Sequence, residues 1–177
     1  MRPLGRRRLL GVAAGLGLAP LAGCGFEPVY MPTATGKPGP AARELATIHV
    51  ALIPDRPGQL LRQALQQRLH GADDGGERRY DLGVFYWITG EGIGILPDTT
   101  NTSTRLTAHA NWVLTANDPA HTKIAIGSAR AYESVNTFDT QYFSGDLSND
   151  QATALLAQQV ADQITLRLAT VFRARAG

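Results

Sequence analysis

The segment "RLTAHANWVLTAN", Arg105–Asn117, decides the fold. Every second residue in it is apolar, namely Leu106, Ala108, Ala110, Trp112 and Leu114. A period of two residues is typical of a β-strand that buries one face. The segment therefore predicts a half-buried strand, and the flanking segments should supply the strands that pair with it.

Two neighbouring segments predict those strands. In "YDLGVFYWITG", from Tyr80, alternate residues are apolar, but Phe85 and Trp87 lie on the opposite face. We therefore expect this strand to be covered on both sides. In "KIAIGSARAYESVN", from Lys123, the apolar positions change phase near Gly127, which predicts a β-bulge there.

Two further segments predict helices. "TIHVALIPDRPGQLLRQALQQRLHG" predicts a strand over Thr47–Ile53 and a helix that begins at Asp55 and ends at Gly71. Ser148–Gln151 fits a capping box that opens a long C-terminal helix. The order of elements predicts an α+β two-layer sandwich, in which a four-stranded, mostly antiparallel sheet carries two helices on one face.

The N-terminus predicts a targeting segment. Residues 1–23 combine an arginine-rich start, an apolar stretch and small residues, as a secretory signal peptide does. The apolar stretch is too short and too interrupted to favour a membrane-spanning helix. The arginines leave export by the general or the twin-arginine route open.

Cys24 is the only cysteine of the chain and ends the motif "LAGC". This motif resembles a bacterial lipobox, in which the cysteine is acylated and becomes the first residue after cleavage. An ordinary signal peptide with a chance cysteine is the alternative. Gly25 in place of an aspartate favours the outer membrane over the inner one. We predict a lipidated segment and extended tether over 24–46 and a folded domain over 47–177.

The charge of the chain is concentrated before Cys24. The whole chain has a net charge of +2, but four arginines precede Cys24 and no acidic residue does. The rest of the chain therefore has a net charge of −2. The basic isoelectric point is no argument for binding nucleic acid.

We expect no enzyme activity. The four histidines lack ligand-like neighbours at helical spacing, and neither a CxxC, an HExxH nor a GxSxG motif occurs. We expect no metal and no cofactor apart from a covalent lipid on Cys24.

An ordered set of segments resembles the lipopolysaccharide-assembly lipoprotein family, LptE, in its short version. The set is "CGFEPVY", "IPDRPGQLLRQAL", "STRLTAHANWVLT", "SARAYESVNTF" and "ADQITLRLA". The resemblance implies an outer-membrane lipoprotein that plugs the lipopolysaccharide (LPS) translocon barrel, LptD, and helps to assemble it. It also implies contact with LPS.

The basic residues that bind the ligand in the family lie in two places that contain no Lys or Arg here, "LPDTTNTST" and "SGDLSND". The nearest basic residues are Arg105 and Lys123, which we predict as ligand-binding residues because cations pair with phosphates. Ordinary solvated charges are the alternative for both. The alternative function is a free-standing outer-membrane lipoprotein that binds a lipid or peptidoglycan.

Overall fold

The computed structural model describes residues 39–70, 77–95, 101–136 and 142–176. Within these ranges seven elements follow one another: α1 Pro40–Ala46, β1 Ile48–Val50, α2 Asp55–His70, β2 Tyr80–Ile95, β3 Asn101–Ala116, β4 Lys123–Asn136 and α3 Tyr142–Ala176. The predicted signal segment, Cys24 and the tether up to residue 38 lie outside the described residues.

The four strands form one open sheet in the order β1-β2-β3-β4. The short strand β1 pairs with β2 in parallel, and β2, β3 and β4 form an antiparallel meander. The predicted α+β class is therefore confirmed. The parallel pair arises because α2 returns the chain to the end of the sheet from which β1 started, as a crossover helix does.

The core lies between one face of the sheet and the helices. Leu82, Ala108, Ala110 and Leu114 of the sheet are buried against apolar residues of α2 and α3. The long helix contributes the predicted stripe, with Leu156, Val160, Ile164 and Leu168 fully buried. A helix residue recurs on one face every three to four positions, and this spacing aims the stripe at the sheet.

The tether prediction fails for residues 40–46, which form α1. Pro40 stands at the start of this helix, where its missing N–H costs no hydrogen bond. Leu45 is buried in the core. The proline and alanines that favoured an extended tether are thus part of a short helix that packs on the domain.

The bulge in β4 lies at Ile124, so its predicted position near Gly127 is wrong. Leu114 pairs with Ala125 and Thr115 pairs with Lys123, which leaves Ile124 as the extra residue. Gly127 serves another purpose. A Cβ atom there would lie 2.5 Å from Cζ2 of Trp112, so the glycine makes room for the buried indole.

Several boundaries also differ from the sequence prediction. Strand β2 continues to Ile95 and β3 begins at Asn101, so both extend beyond their predicted segments. The last helix begins at Tyr142, six residues before the predicted capping box, so Ser148 lies inside the helix. Strand β1 covers only Ile48–Val50 because the chain leaves the sheet after Ala51 and turns into α2. A local cap pattern and an apolar run could not reveal either limit, since tertiary contacts decide where an element stops.

Candidate functional site

The face of the sheet that points away from the helices, here called the open face, carries exposed aromatic residues. Phe85 is 65% exposed and Trp87 is 36% exposed, so the expectation that β2 is covered on both sides is wrong. On β4, which lies beyond β3, Ile126 and Tyr132 are 70% and 58% exposed. Exposed apolar side chains that share a face commonly mark an interaction surface.

The centre of the open face is a group of stacked rings. Trp87 and His109 face each other across β2 and β3, with ring centroids 5.0 Å apart and planes inclined by 7°. Phe85 also contacts Trp87, with ring centroids 5.1 Å apart and planes inclined by 41°. Thr89 Oγ1 lies 3.4 Å from Nε2 of His109. The indole thus contacts two other rings on the open face.

Three cations lie on the open face at widely spaced positions. Arg130 stands opposite His109 in the β3–β4 register and therefore beside the stacked rings. Arg105 stands opposite Glu91 and Ser134, near the start of β3. Lys123 stands at the other end of that strand, opposite Thr115.

The two predicted ligand-binding residues do not form one site. From Arg105 to Thr115 the strand advances ten residues, which corresponds to about 33 Å at about 3.3 Å per residue. A single phosphate cannot contact both cations. Arg105 and Lys123 stay predicted ligand-binding residues, but each would have to act separately, and Arg130 lies between them.

A cleft of about 490 Å³ lies at the end of the sheet where β2 begins. Its lining includes Arg78, Arg79 and Arg175 together with Asp118 and Tyr80. Arg78 pairs with Asp81, and Arg79 pairs with Glu44 at 2.9 Å. Two of the three arginines are thus already engaged by carboxylates.

Tyr80, at the lining of the cleft, contacts residues of α1 and α3. Its hydroxyl donates a hydrogen bond to Glu44 at 3.1 Å, and its ring packs against Phe172 of α3. Burial raises the pKa of Tyr80, and the Glu44 carboxylate raises it further, while Arg79 and Arg175 oppose the rise. Hydrogen bonds from Thr122 lower the pKa of Asp118 at the rim.

Tyr86 is the most perturbed titrating group among the described residues. Burial raises its pKa to about 12. Its hydroxyl is buried and has no hydrogen-bond partner in the part of the chain that the structure describes. The ring lies on the helix side of β2, away from the open face, so we assign it to the packing of the domain.

The described residues contain no group of three or more His, Cys, Asp or Glu side chains that could hold a metal ion. Within the same ranges, no helix has the length and apolarity needed to cross a bilayer.

The sequence pattern did not predict Arg130 as part of the site or the exposure of Phe85, Trp87 and Tyr132. A signal is present on β2, where two aromatic residues follow each other at a spacing of two. Such a pair is compatible with a strand buried on both faces and with an exposed aromatic face. Which of these applies depends on whether helices cover one face of the sheet or both. All the described helices that contact this sheet pack on one side.

Comparisons with known proteins found one matching family and solved structures of similar fold. The sequence model described as "LptE: Lipopolysaccharide-assembly" matches residues 45–168. A putative lipoprotein from Caulobacter crescentus is similar in structure, with a TM-score of 0.60, 19% identity, and coverage of 75% of this chain and 96% of that chain.

The rare lipoprotein B from Shewanella oneidensis is also similar, with a TM-score of 0.54, 10% identity, and coverage of 73% of this chain and 97% of that chain. No curated protein sequence gave a significant match. The two structural likenesses show the fold, and the family match spans both the sheet and the helices that cover it. The chain therefore belongs to the LptE lipopolysaccharide-assembly family.

Proposed function

We propose that this chain is an outer-membrane lipoprotein, anchored through Cys24, that plugs an LptD-type LPS translocon barrel and helps to assemble it. The observation that carries the proposal is the family match over residues 45–168, which covers most of the described domain. The lipobox-like "LAGC" upstream of that domain supports the anchor. Stable anchoring of a protein takes more than one acyl chain, and a lipidated N-terminal cysteine supplies them.

The open face supports a role in binding a protein partner. It joins exposed Phe85 and Trp87 to Tyr132 and Arg130, and aromatic residues and arginine are the residue types enriched in protein interfaces. The lumen of an outer-membrane barrel is polar. The open face combines aromatic rings with hydrogen-bonding groups, so it is better suited to contact this polar lumen than a purely aliphatic surface would be.

Contact with LPS is proposed for the separate cations of the same face. Arg105, Arg130 and Lys123 are exposed and would each meet one phosphate. Because the distances between them are large, we propose transient contacts with a passing ligand in place of one tight phosphate site. We also propose that the protein acts without catalysing a reaction.

The alternative function requires a deep apolar cavity or a sugar-binding groove. The cleft beside Tyr80 is lined by Arg78, Arg79 and Arg175, so it does not match an apolar lipid cavity. We therefore prefer the barrel partner to free-standing binding of a lipid, and the family match favours it over binding of peptidoglycan.

The test is retrieval of the partner from detergent-solubilised outer membranes through a C-terminal tag. We expect one large β-barrel protein in stoichiometric amount, and we expect depletion of the chain to reduce both mature barrel and surface LPS. Recovery of the chain without any barrel protein would refute the proposal. If the mature barrel stays at normal levels while surface LPS falls, the role lies in handling LPS and not in barrel assembly.

A further inference from the structure

Strand β2 has a long edge that no described residue covers. It contains sixteen residues, Tyr80–Ile95, but β1 pairs only with Tyr80, Asp81 and Leu82. Ala51 makes the last hydrogen bond along this edge, from its N–H to the carbonyl of Leu82 at 3.0 Å. From Val84 onward the described part of the chain offers this side of β2 no partner strand.

The register between β2 and β3 determines which backbone N–H and C=O groups of β2 point away from β3. In an antiparallel pair, every second residue points its N–H and C=O away from the partner strand. Leu82 points its carbonyl toward β1, and the β2–β3 register runs unbroken from Leu82 to Gly92. The N–H and C=O groups of Val84, Tyr86, Ile88 and Gly90 therefore point outward, and no hydrogen bond to them occurs within the described ranges.

The opposite edge of the sheet is protected. On β4, Gln163 of α3 donates its Nε2–H to the carbonyl of Arg130 at 2.7 Å, and its Oε1 accepts the Arg130 N–H at 3.3 Å. One amide side chain thus imitates a partner strand. Edge strands are commonly protected by prolines, charges or bulges. The stretch "VFYWITG", Val84–Gly90, contains no proline and no charge, and the β2–β3 register has no shift within it.

The side chains next to this edge add an apolar contact surface. Phe85 and Trp87 are exposed on the open face of the same strand. A strand docked beside β2 would place alternate side chains next to these two rings. Only an extended backbone can satisfy outward groups that recur at every second residue, so the edge selects a β-strand as its occupant.

We propose that β2 captures an unpaired terminal strand of the partner barrel before the barrel closes. This inference rests on the proposed function. A barrel has no edges once it is closed, but its first and last strands have free edges until they meet. Such strands alternate apolar and polar residues, which suits apolar contact with Phe85 and Trp87 on one face.

Charge favours this occupant over a second copy of the chain. The free part of the edge, from Val84 to Gly92, carries one charge, Glu91, and no Lys or Arg. A second copy would therefore bring another carboxylate to this edge, while the described cation nearest to it in the register, Arg105, already lies opposite Glu91 of its own chain. A barrel strand, with its polar lumen side, provides a place for a cation opposite Glu91.

Gly90→Pro removes one outward N–H without breaking the β2–β3 pair, because the N–H of Gly90 points away from β3. A Cβ at Gly90 would meet only ordinary contacts, at 3.5 Å from Leu106 and Thr104. Ser134→Pro is the matched control. Ser134 is exposed on β4 and points its N–H outward from the other edge, as Arg130 does.

The experiment uses the full-length lipoprotein in cells, with p-benzoylphenylalanine in place of Phe85 and ultraviolet cross-linking after a pulse of labelled amino acids. We expect a cross-link to the first or last strand of the newly made barrel that fades as the barrel matures. Gly90→Pro should lower its yield about tenfold, as loss of a paired group costs roughly 1–2 kcal/mol. Ser134→Pro should leave the yield unchanged.

Three results would overturn the inference. They are a cross-link to a second copy of the chain, a cross-link only to barrel positions away from the terminal strands, and a yield that Gly90→Pro does not lower. Co-purification of the mature barrel with the unaltered protein tests the proposed function separately. A barrel that co-purifies while the cross-link is insensitive to Gly90→Pro refutes the edge capture alone.

Discussion

Trp87 and His109 stack across β2 and β3 with their ring centroids 5.0 Å apart and their planes inclined by 7°. Both residues lie on the open face, where no described helix covers them. Paired rings on neighbouring strands stabilise a sheet as well as preparing a surface for a partner. The first prediction separates these two effects.

Trp87→Ala and His109→Ala should be coupled in a double-mutant cycle. We expect a coupling of about 0.5–1 kcal/mol in urea unfolding of the soluble domain, since the stacked pair is lost in either single variant. Tyr132→Ala with Trp87→Ala serves as the comparison and should show effects that add. Additive effects for the stacked pair as well would mean that the rings contribute only to binding.

Gly127→Ala should destabilise the domain by about 1–3 kcal/mol, because the added Cβ would overlap the buried indole of Trp112. Trp112→Phe in the same chain should recover part of the loss by shortening the ring. Gly90→Ala, which adds a Cβ in ordinary contact, should change the free energy of unfolding by less than about 0.5 kcal/mol. Equal effects at the two glycines would contradict the packing argument.

Gln163→Ala should expose the β4 edge at Arg130. Two hydrogen bonds are lost, so we expect about 1 kcal/mol of destabilisation and faster amide exchange at Arg130. Gln158→Ala, at an exposed position of the same helix, is the control and should leave both quantities unchanged. If amide exchange at Arg130 stays slow in Gln163→Ala, another group protects this edge.

Tyr86 should make the domain less stable at alkaline pH. Its pKa is raised to about 12 by burial, from a reference value of 10.0, so the folded state favours the neutral phenol. The stabilising contribution is complete below pH 10 and is lost as the pH rises from about 10 to 12. Tyr86→Phe should flatten this part of the pH profile, while Tyr132→Phe should not. At pH 7 Tyr86→Phe should not destabilise the domain, because no described residue forms a hydrogen bond with the hydroxyl.

Arg105→Ala and Lys123→Ala should weaken binding of the soluble domain to LPS independently. Because about 33 Å of strand separates them, the two effects on binding free energy should add. Arg130→Ala should have an effect at least as large, since it lies in the middle of the face beside the rings. Binding that none of the three substitutions changes would exclude the open face as the LPS contact. Arg56→Ala, on α2, is the control for loss of charge.

Much of the fold could be predicted from periodicity. The alternation around Ala108, Ala110 and Trp112 defined β3, and the stripe through Leu156, Val160 and Ile164 defined the face of α3 that meets it. These patterns were sufficient because burial of apolar surface dominates folding and depends only on spacing within an element. Boundaries were less accurate, as the early start of α3 at Tyr142 shows.

The candidate site was predicted less well. Arg105 lies four residues inside β3 and Lys123 is the first residue of β4, and the length of β3 separates them. The sequence did not predict Arg130 as a site residue, because a single arginine at a polar position of an alternating strand does not form a motif. The register with His109, which brings it beside the rings, exists only once β3 and β4 have paired.

The sequence by itself determined the α+β class, the identity of the buried faces and the lipobox-like motif at Cys24, because each depends on residues close together in the chain. Only the tertiary structure decided that Phe85 and Trp87 are exposed and that β2 has no partner strand beyond β1 among the described residues. Both depend on where helices and strands come to rest against one another. The alternation of a strand defines its two faces, but it cannot say which face or edge another element will cover.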